Sequence, residues 1–488
     1  MHPSGYPSRR LSGGQPGRPQ IDAHGLARTI MKNIRFSIVA MLVFLLLGCG
    51  RVAAAYSLLT HEQLIDLTWQ DAIVPLLLSR YPNLTPADLD RARAYAYGGC
   101  VIQDIGYYPL GDRSFSNLTH YVRSGDFVTS LFRNARNANE LAFAVGALSH
   151  YIGDTVGHSV ATNIAVPIEF AKLRARYGPV VSYAEGEHQH VRTEFAFDID
   201  EIAHRRVAPL RYLRHIGLKV PVRLVGLAFY QTYGLTDFAD RRAHRFKVRE
   251  YRWAVRTFIP RIAYSVTVLH RKDEPVEPNT PDAIEIEREA AAVGAINHWD
   301  AYRGKGPRLE TYLLAGFLYI LPKVGSLSLV AVKGPTVATE ADYMHSVAQA
   351  TAALRYELKR FTPADMRRPA PAGAMALAVP FGSPDPTHPL PNRDLDTGRV
   401  VQPGGYRLTD STYASLLHRI TQHPTQAIPP GIKRDIEAYY SNPQFTPGTA
   451  KNPAKWARVQ ADLKILTAMP TSNEPAPFPT YGNDSGDE

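Results

Sequence analysis

Leu148-Ser149-His150-Tyr151-Ile152-Gly153-Asp154-Thr155-Val156-Gly157-His158 is the stretch that decides how the chain is read. At about 3.6 residues per turn, positions 150, 154 and 158 stand at i, i+4 and i+8, so two imidazoles and a carboxylate leave one face of a helix. Leu141, Val145, Leu148 and Ile152 repeat at helical spacing and supply an apolar face beside the polar one. Such a helix is expected to be buried. Buried imidazoles and carboxylates are costly unless hydrogen-bonded, paired or metal-bound, and a helical bundle that gathers His and Asp inward commonly does so around a metal. The triplet alone leaves two readings open: a metal site, or a set of satisfied core polar groups.

Working outward, His61, Asp104 and His120 lie upstream, and His190 and Glu194 lie downstream at i, i+4. His188 competes with His190 but has no carboxylate four residues on. The two cysteines, Cys49 and Cys100, form no Cys-x-x-Cys arrangement, so any zinc must be held by nitrogen and oxygen, a donor set that leans catalytic. Eight candidate ligands on separate helices suffice for more than one ion at three or four protein ligands each.

The surrounding segments read as helices. His61 to Arg80 is amphipathic, with Thr60 as its N-cap. Thr85-Pro86-Ala87-Asp88 opens a second helix with a hydroxyl, a proline and an acid in the right places, running to about Asp104. Residues 106–117 read as a loop, Phe127 to Arg136 as a helix with Asp126 as its cap, and Glu185 to Glu194 as entry into another. No strand alternation occurs across 56–200, so this half is all-α. Further helices are expected at 282–293 and 341–361. The apolar run 313–332 is interrupted by Pro322-Lys323 and Gly325, which favours two buried segments over a spanning helix, with a membrane-contacting hairpin as the alternative. The expected organisation is a helical domain over 56–365, a Pro-rich surface linker over 366–405, a small helical segment over 406–470 and a frayed tail over 471–488.

The chain of 488 residues is long enough for one or two sizeable cores. Met31 to Ala55 carries a basic start, an apolar run from Phe36 to Gly48 and an Ala53-x-Ala55 cleavage pattern. This reads as a secretory signal with Tyr56 as the mature N-terminus and Met31 as the true start; a lipoprotein anchored at Cys49 is the lesser alternative. Export would make the protein secreted or periplasmic. Residues 1–55 hold seven Arg or Lys and one acid, so removing them lowers the formal charge from +10 to +4 and leaves no nucleic-acid footprint in net charge.

The ligand order resembles the zinc-dependent phospholipase C family. The words that carry the likeness are Tyr56-Ser-Leu-Leu-Thr-His61, Ala94-Tyr-Ala-Tyr-Gly-Gly-Cys-Val-Ile-Gln-Asp104, His120-Tyr-Val-Arg-Ser-Gly-Asp126, the stretch around His150, and His190-x-x-x-Glu194. They cover roughly residues 56–200. The resemblance implies a mostly helical core holding three zinc ions. Asp104, His120, His150 and Asp154 would hold one, with Asp154 bridging to a second. That second would be held also by His61 and by the amino nitrogen and carbonyl of Tyr56, and His158, His190 and Glu194 would hold the third. Asp104 would orient or deprotonate the attacking water, the substrate would be a phospholipid, and signal cleavage would complete the site.

Three features depart from the family pattern: Tyr56 replaces the usual Trp, His158 follows Asp154 by only four residues, and the stretch from His158 to His190 is long. The short Tyr56 to His61 step is nearer to the single-strand-specific zinc nucleases, which share the fold, while Glu194 as last ligand leans to the phospholipases. The resulting expectation is an all-α zinc hydrolase of phospholipid phosphodiesters with no stable protein partner. The alternatives are a nuclease or 3′-nucleotidase and a zinc-stabilised secreted binding protein without turnover.

Overall fold

A computed structural model describes residues 58–108, 111–236, 248–270, 278–304, 309–320, 332–367, 382–383 and 385–472. Tyr56, Cys49, the signal segment and most of the tail lie outside the described residues, as do residues 321–331 of the interrupted apolar run. Among the described residues there is no strand, only the isolated bridges Arg393 to Val400 and Ile428 to Thr471. The fold is all-α.

The first helices are α1 (Leu58–Thr68), α2 (Val74–Arg80) and α3 (Pro86–Gly99). The single helix expected from His61 to Arg80 is divided by a π-helical turn, Trp69–Ile73. Pro75 has no N–H to continue the ladder. α3 opens as read, with Thr85 and Asp88 capping each other's backbone, but it ends at Gly99, and Asp104 stands on a separate 3₁₀ turn, Ile102–Gly106. α4 (Arg113–Tyr121) replaces part of the expected loop, because the Asp112 side chain accepts from Ser114 N and caps it. α5 (Ser124–Asn134) starts ahead of Asp126. That residue is no N-cap; it lies in the first turn and takes bonds from Arg123, His388 and Asn392.

α6 (Ala138–Gly157) is the central helix, with every residue from Ala142 to Gly157 buried. It continues into a π-helical turn, His158–Thr162, and then α7 (Asn163–Glu169), α8 (Ala171–Tyr177) and α9 (Tyr183–Ala203). The chain proceeds through α10 (Leu210–Ile216), α11 (Val222–Tyr233), α12 (Ile259–Leu269), α13 (Pro281–Ile296), α14 (Trp299–Arg303) and α15 (Leu309–Ile320). α16 (Val337–Phe361), α17 (Arg407–Thr421), α18 (Pro430–Ser441) and α19 (Pro453–Ala468) complete the order.

α6 packs against α3, α5 and α16, and the α3 contact is unusually close. A Cβ on Gly146 would stand 2.2 Å from the Ala96 carbonyl oxygen, and one on Gly99 would stand 2.1 Å from that of Phe143. Glycine on both helices lets their backbones touch. The late helix α16 joins the same core: Tyr343 stacks on Phe197 at 4.4 Å and shares a 2.8 Å bond with Thr60, and Arg355 pairs with Asp71 and Glu289.

Gly146→Ala is expected to force α3 and α6 apart and destabilise the fold by about 1–3 kcal/mol. Gly316→Ala on α15, where an added Cβ meets nothing within 4 Å, should be neutral or stabilising by up to about 1 kcal/mol. Paired denaturant melts would show this contrast, and equal effects would contradict the close crossing.

Candidate metal centre

The close crossing aims the Cys100 carbonyl at α6, where it accepts from His150 Nδ1 at 2.9 Å. A carbonyl only accepts, so Nδ1 carries the hydrogen and Nε2 faces inward. The same device fixes His120, whose Nδ1 donates to Ser116 O at 2.7 Å, and His158, whose Nδ1 donates to Leu395 O at 2.9 Å. His61 enters from the second turn's edge of α1, whose start is held by the buried carboxylate of Asp198 on α9 through Leu59 N and Thr60 N. A carboxylate at a helix N-terminus meets both the unpaired N–H groups and the helix dipole. A Cβ on Gly153 would come within 3.3 Å of His61 Nδ1, so that glycine makes the room in which His61 stacks on His150, ring centres 4.2 Å apart.

The inward nitrogens converge on carboxylates. Asp154 Oδ1 lies 3.2 Å from His61 Nε2, while its Oδ2 lies 3.1 Å from His150 Nε2 and 3.3 Å from His120 Nε2. Asp104 Oδ1 is 3.2 Å from His120 Nε2. Just past the end of α6, His158 Nε2 lies 3.0 Å from Glu194 Oε1 of α9, which is also 3.0 Å from His190 Nε2. All eight residues are at most 1 % exposed. Three sets thus offer ligand atoms close enough for one ion each: His61, His150 and Asp154; Asp104, His120 and His150; His158, His190 and Glu194.

The donors fit zinc. Ligands about 2.0–2.2 Å from one tetrahedral ion stand about 3.3–3.6 Å apart, slightly wider than the 3.0–3.3 Å separations found. Both oxygens of Asp104, both of Asp154 and Glu194 Oε2 are buried without a hydrogen bond, which is costly for carboxylates unless a cation meets them. In the metal-free chain protons fill that role. Burial opposes charge on His120, but its contacts with Asp104 and Asp154 prevail and lift it to about 10. Burial likewise opposes charge on His158, which Asp154 and Glu194 lift to about 10. Asp154 is disfavoured as an anion by burial, yet His150 and His158 hold it well below 3.8.

All eight described candidates therefore meet in one core. Tyr56 lies outside the described residues. His188 is half-buried and joins none of the three sets. Outside this cluster, His388, His345, His418 and His204 pair with Asp126, Asp282, Asp462 and Asp200. The group Asp126, His388 and Asp435 could also hold an ion by distance, but the Arg123 guanidinium already sits 2.8 and 2.7 Å from its two carboxylates. Tyr107 and Tyr108 are buried; Tyr107 packs 5.2 Å from the His120 ring and Tyr108 against Tyr251.

The segment read as a surface linker contributes directly. Residues 393–400 form a tight turn in which Asp394, Leu395 and Asp396 are buried. Leu395 N donates to His120 O while its carbonyl accepts from His158, so one residue's backbone ties two ligand sets together. Asp396 takes bonds from Tyr121 and Tyr406, and its carbonyl from Asn163. Gly398, at φ +70°, closes the turn where a Cβ would stand 2.6 Å from Thr155 O. Composition hid this, since many prolines around an Asp-Leu-Asp signal only a turn. Asp198 was more legible, standing one helical turn beyond Glu194.

Helices delivering His, Asp and Glu to a common buried cluster make this all-helical core a candidate metal centre. Residues 60–239 match the family described as Zinc dependent phospholipase C. The match contains all eight residues and stops well short of the 393–400 turn. No curated protein and no solved structure matches the chain.

Burial raises Asp394 from 3.8 to about 7, against the bonds it accepts from Thr397. A raised acid favours the folded state fully below 3.8, and that contribution is lost as pH rises to about 7. Asp394→Asn should flatten this fall in melting temperature across the same window while leaving the Thr397 bond possible. An unchanged profile would contradict the assignment.

Proposed function

We propose that the chain is a zinc-dependent phospholipase C, cleaving the phosphodiester of a phospholipid to a diacylglycerol and a phosphorylated head group. The observation that carries the reading is Asp154, whose two oxygens face different ring sets, as a bridging carboxylate must. Beside it stands the family match over residues 60–239.

Three zinc ions would be held, by Asp104, His120, His150 and Asp154, by His61 and Asp154, and by His158, His190 and Glu194. Bound zinc supplies Lewis-acid polarisation of the phosphodiester and lowers the pKa of a bound water from 15.7 toward about 7. The chain's own residues do the rest. The Cys100, Ser116 and Leu395 carbonyls hold three imidazoles in one tautomer and orientation. Asp104 turns Oδ1 to His120 and leaves Oδ2 buried without a hydrogen bond, a base placed to accept the proton of the attacking water. Burial keeps competing solvent from these charges and strengthens their field. Export and cleavage after Ala55, giving Tyr56 a free amino group as a further ligand, belong to the same proposal.

Elemental analysis tests the partition of ligands. Asp154→Asn should remove two ions together and His190→Ala one, each with activity down on the order of 10³-fold; equal metal loss from both would overturn the partition. Activity assays test the substrate. Purified, processed protein should cleave phosphatidylcholine micelles and lose that activity to a chelator. Cleavage of single-stranded DNA instead would move the chain to the nuclease reading, and bound zinc without turnover would leave a binding role.

A further inference from the structure

α15 lies along α12, and its outward face is apolar. Leu309 is 69 % exposed, Tyr312 42 %, Leu313 43 %, Tyr319 75 % and Ile320 80 %, while Leu314, Ala315 and Leu318 are buried. A surface helix ordinarily turns charge outward; here Glu310 is the only charged residue in twelve. Contiguous exposed apolar surface of this kind marks an interaction site.

The surroundings point to one partner. Over residues 248–261, the helical run that leads into α12, Arg249, Arg252, Arg256 and Arg261 stand against a single acid, Glu250. Arg249, Arg261 and Trp253 are exposed, and Arg261 reaches Glu310 at 4.0 Å, tying this basic run to the start of α15. A cation at Arg261 beside an exposed aliphatic face that carries Tyr312 and Tyr319 matches the layered chemistry of a bilayer surface: anionic head groups outside, acyl chains beneath. At about 1.5 Å per residue, twelve residues reach about 18 Å against a hydrocarbon core of about 30 Å. No helix among the described residues is long and apolar enough to cross a membrane.

We propose that α15 and its basic flank are an interfacial docking surface for anionic phospholipid bilayers, with α15 lying in the plane of the interface. This deepens the reading of the metal centre as a phospholipid-cleaving site by saying how the enzyme meets a lipid surface. α15 lies outside the 60–239 match.

Vesicle flotation with the full processed chain tests the surface without needing turnover. The protein should float with phosphatidylcholine–phosphatidylglycerol vesicles, less so with pure phosphatidylcholine, and less again in high salt. Replacing Leu309, Tyr319 and Ile320 together by Ser should weaken partitioning at least about ten-fold, while hydrolysis of a short-chain, monomeric phospholipid stays unchanged. Ile320→Trp keeps the face apolar and should be quenched by brominated lipids. Failure of the parent to float, equal flotation of parent and triple variant, or an unquenched Ile320→Trp would overturn the proposal. So would a dimer of the parent that the triple variant abolishes, since the face would then be an interface between copies. Flotation lost in the variant, with no lipid cleavage by either protein, would uphold the surface and sink the phospholipase reading.

Discussion

A carboxylate without water must be met by something positive, and the core of this molecule is arranged around that demand at Asp154. Three imidazoles reach it from α1, α4 and α6, so these helices cannot shift independently without stranding a buried charge. The glycine-lined crossing of α3 and α6 follows from the same demand. Only with the backbones in contact does the Cys100 carbonyl reach His150 Nδ1.

The ring orientations depend on backbone rather than side chains. His120, His150 and His158 each donate Nδ1–H to a main-chain carbonyl, and those carbonyls lie on α4, at the end of α3 and in the 393–400 turn. A side-chain acceptor can be replaced or ionised; a carbonyl moves only when its segment moves. The tautomers of the cluster are thus a property of how the segments pack, and the packing of α16 and α9 on α1 through Tyr343, Phe197 and Asp198 belongs to the same assembly.

Much of this was legible in the sequence because helical period is a strong constraint. His150, Asp154 and His158 share a face by arithmetic alone, and His190 with Glu194 by the same arithmetic, so the central helix and these members of the buried cluster could be read from spacing. Asp104 was found through motif likeness, although it stands on a 3₁₀ turn instead of a helix end. What spacing cannot show is an acceptor that every residue possesses. The Cys100, Ser116 and Leu395 carbonyls carry no sequence signature, and the Pro-rich composition around 393–400 hides a buried turn behind the look of a connector. Asp126 misled for a related reason: an acid before an apolar helix resembles a cap, but its partners Arg123 and His388 come from the turn before it and from far along the chain.

The turn at 393–400 also bears on how the protein comes into being. The bond between His158 and Leu395 joins residues 237 apart in sequence, whereas the likeness to the family ends at residue 239. During synthesis the chain emerges at about 5–20 residues per second, so His158 precedes the carbonyl that orients it by on the order of ten seconds or more. Loops this long also close late in folding. The stretch that resembles the family therefore lacks one of the acceptors that orient its own cluster, which the far end of the chain supplies.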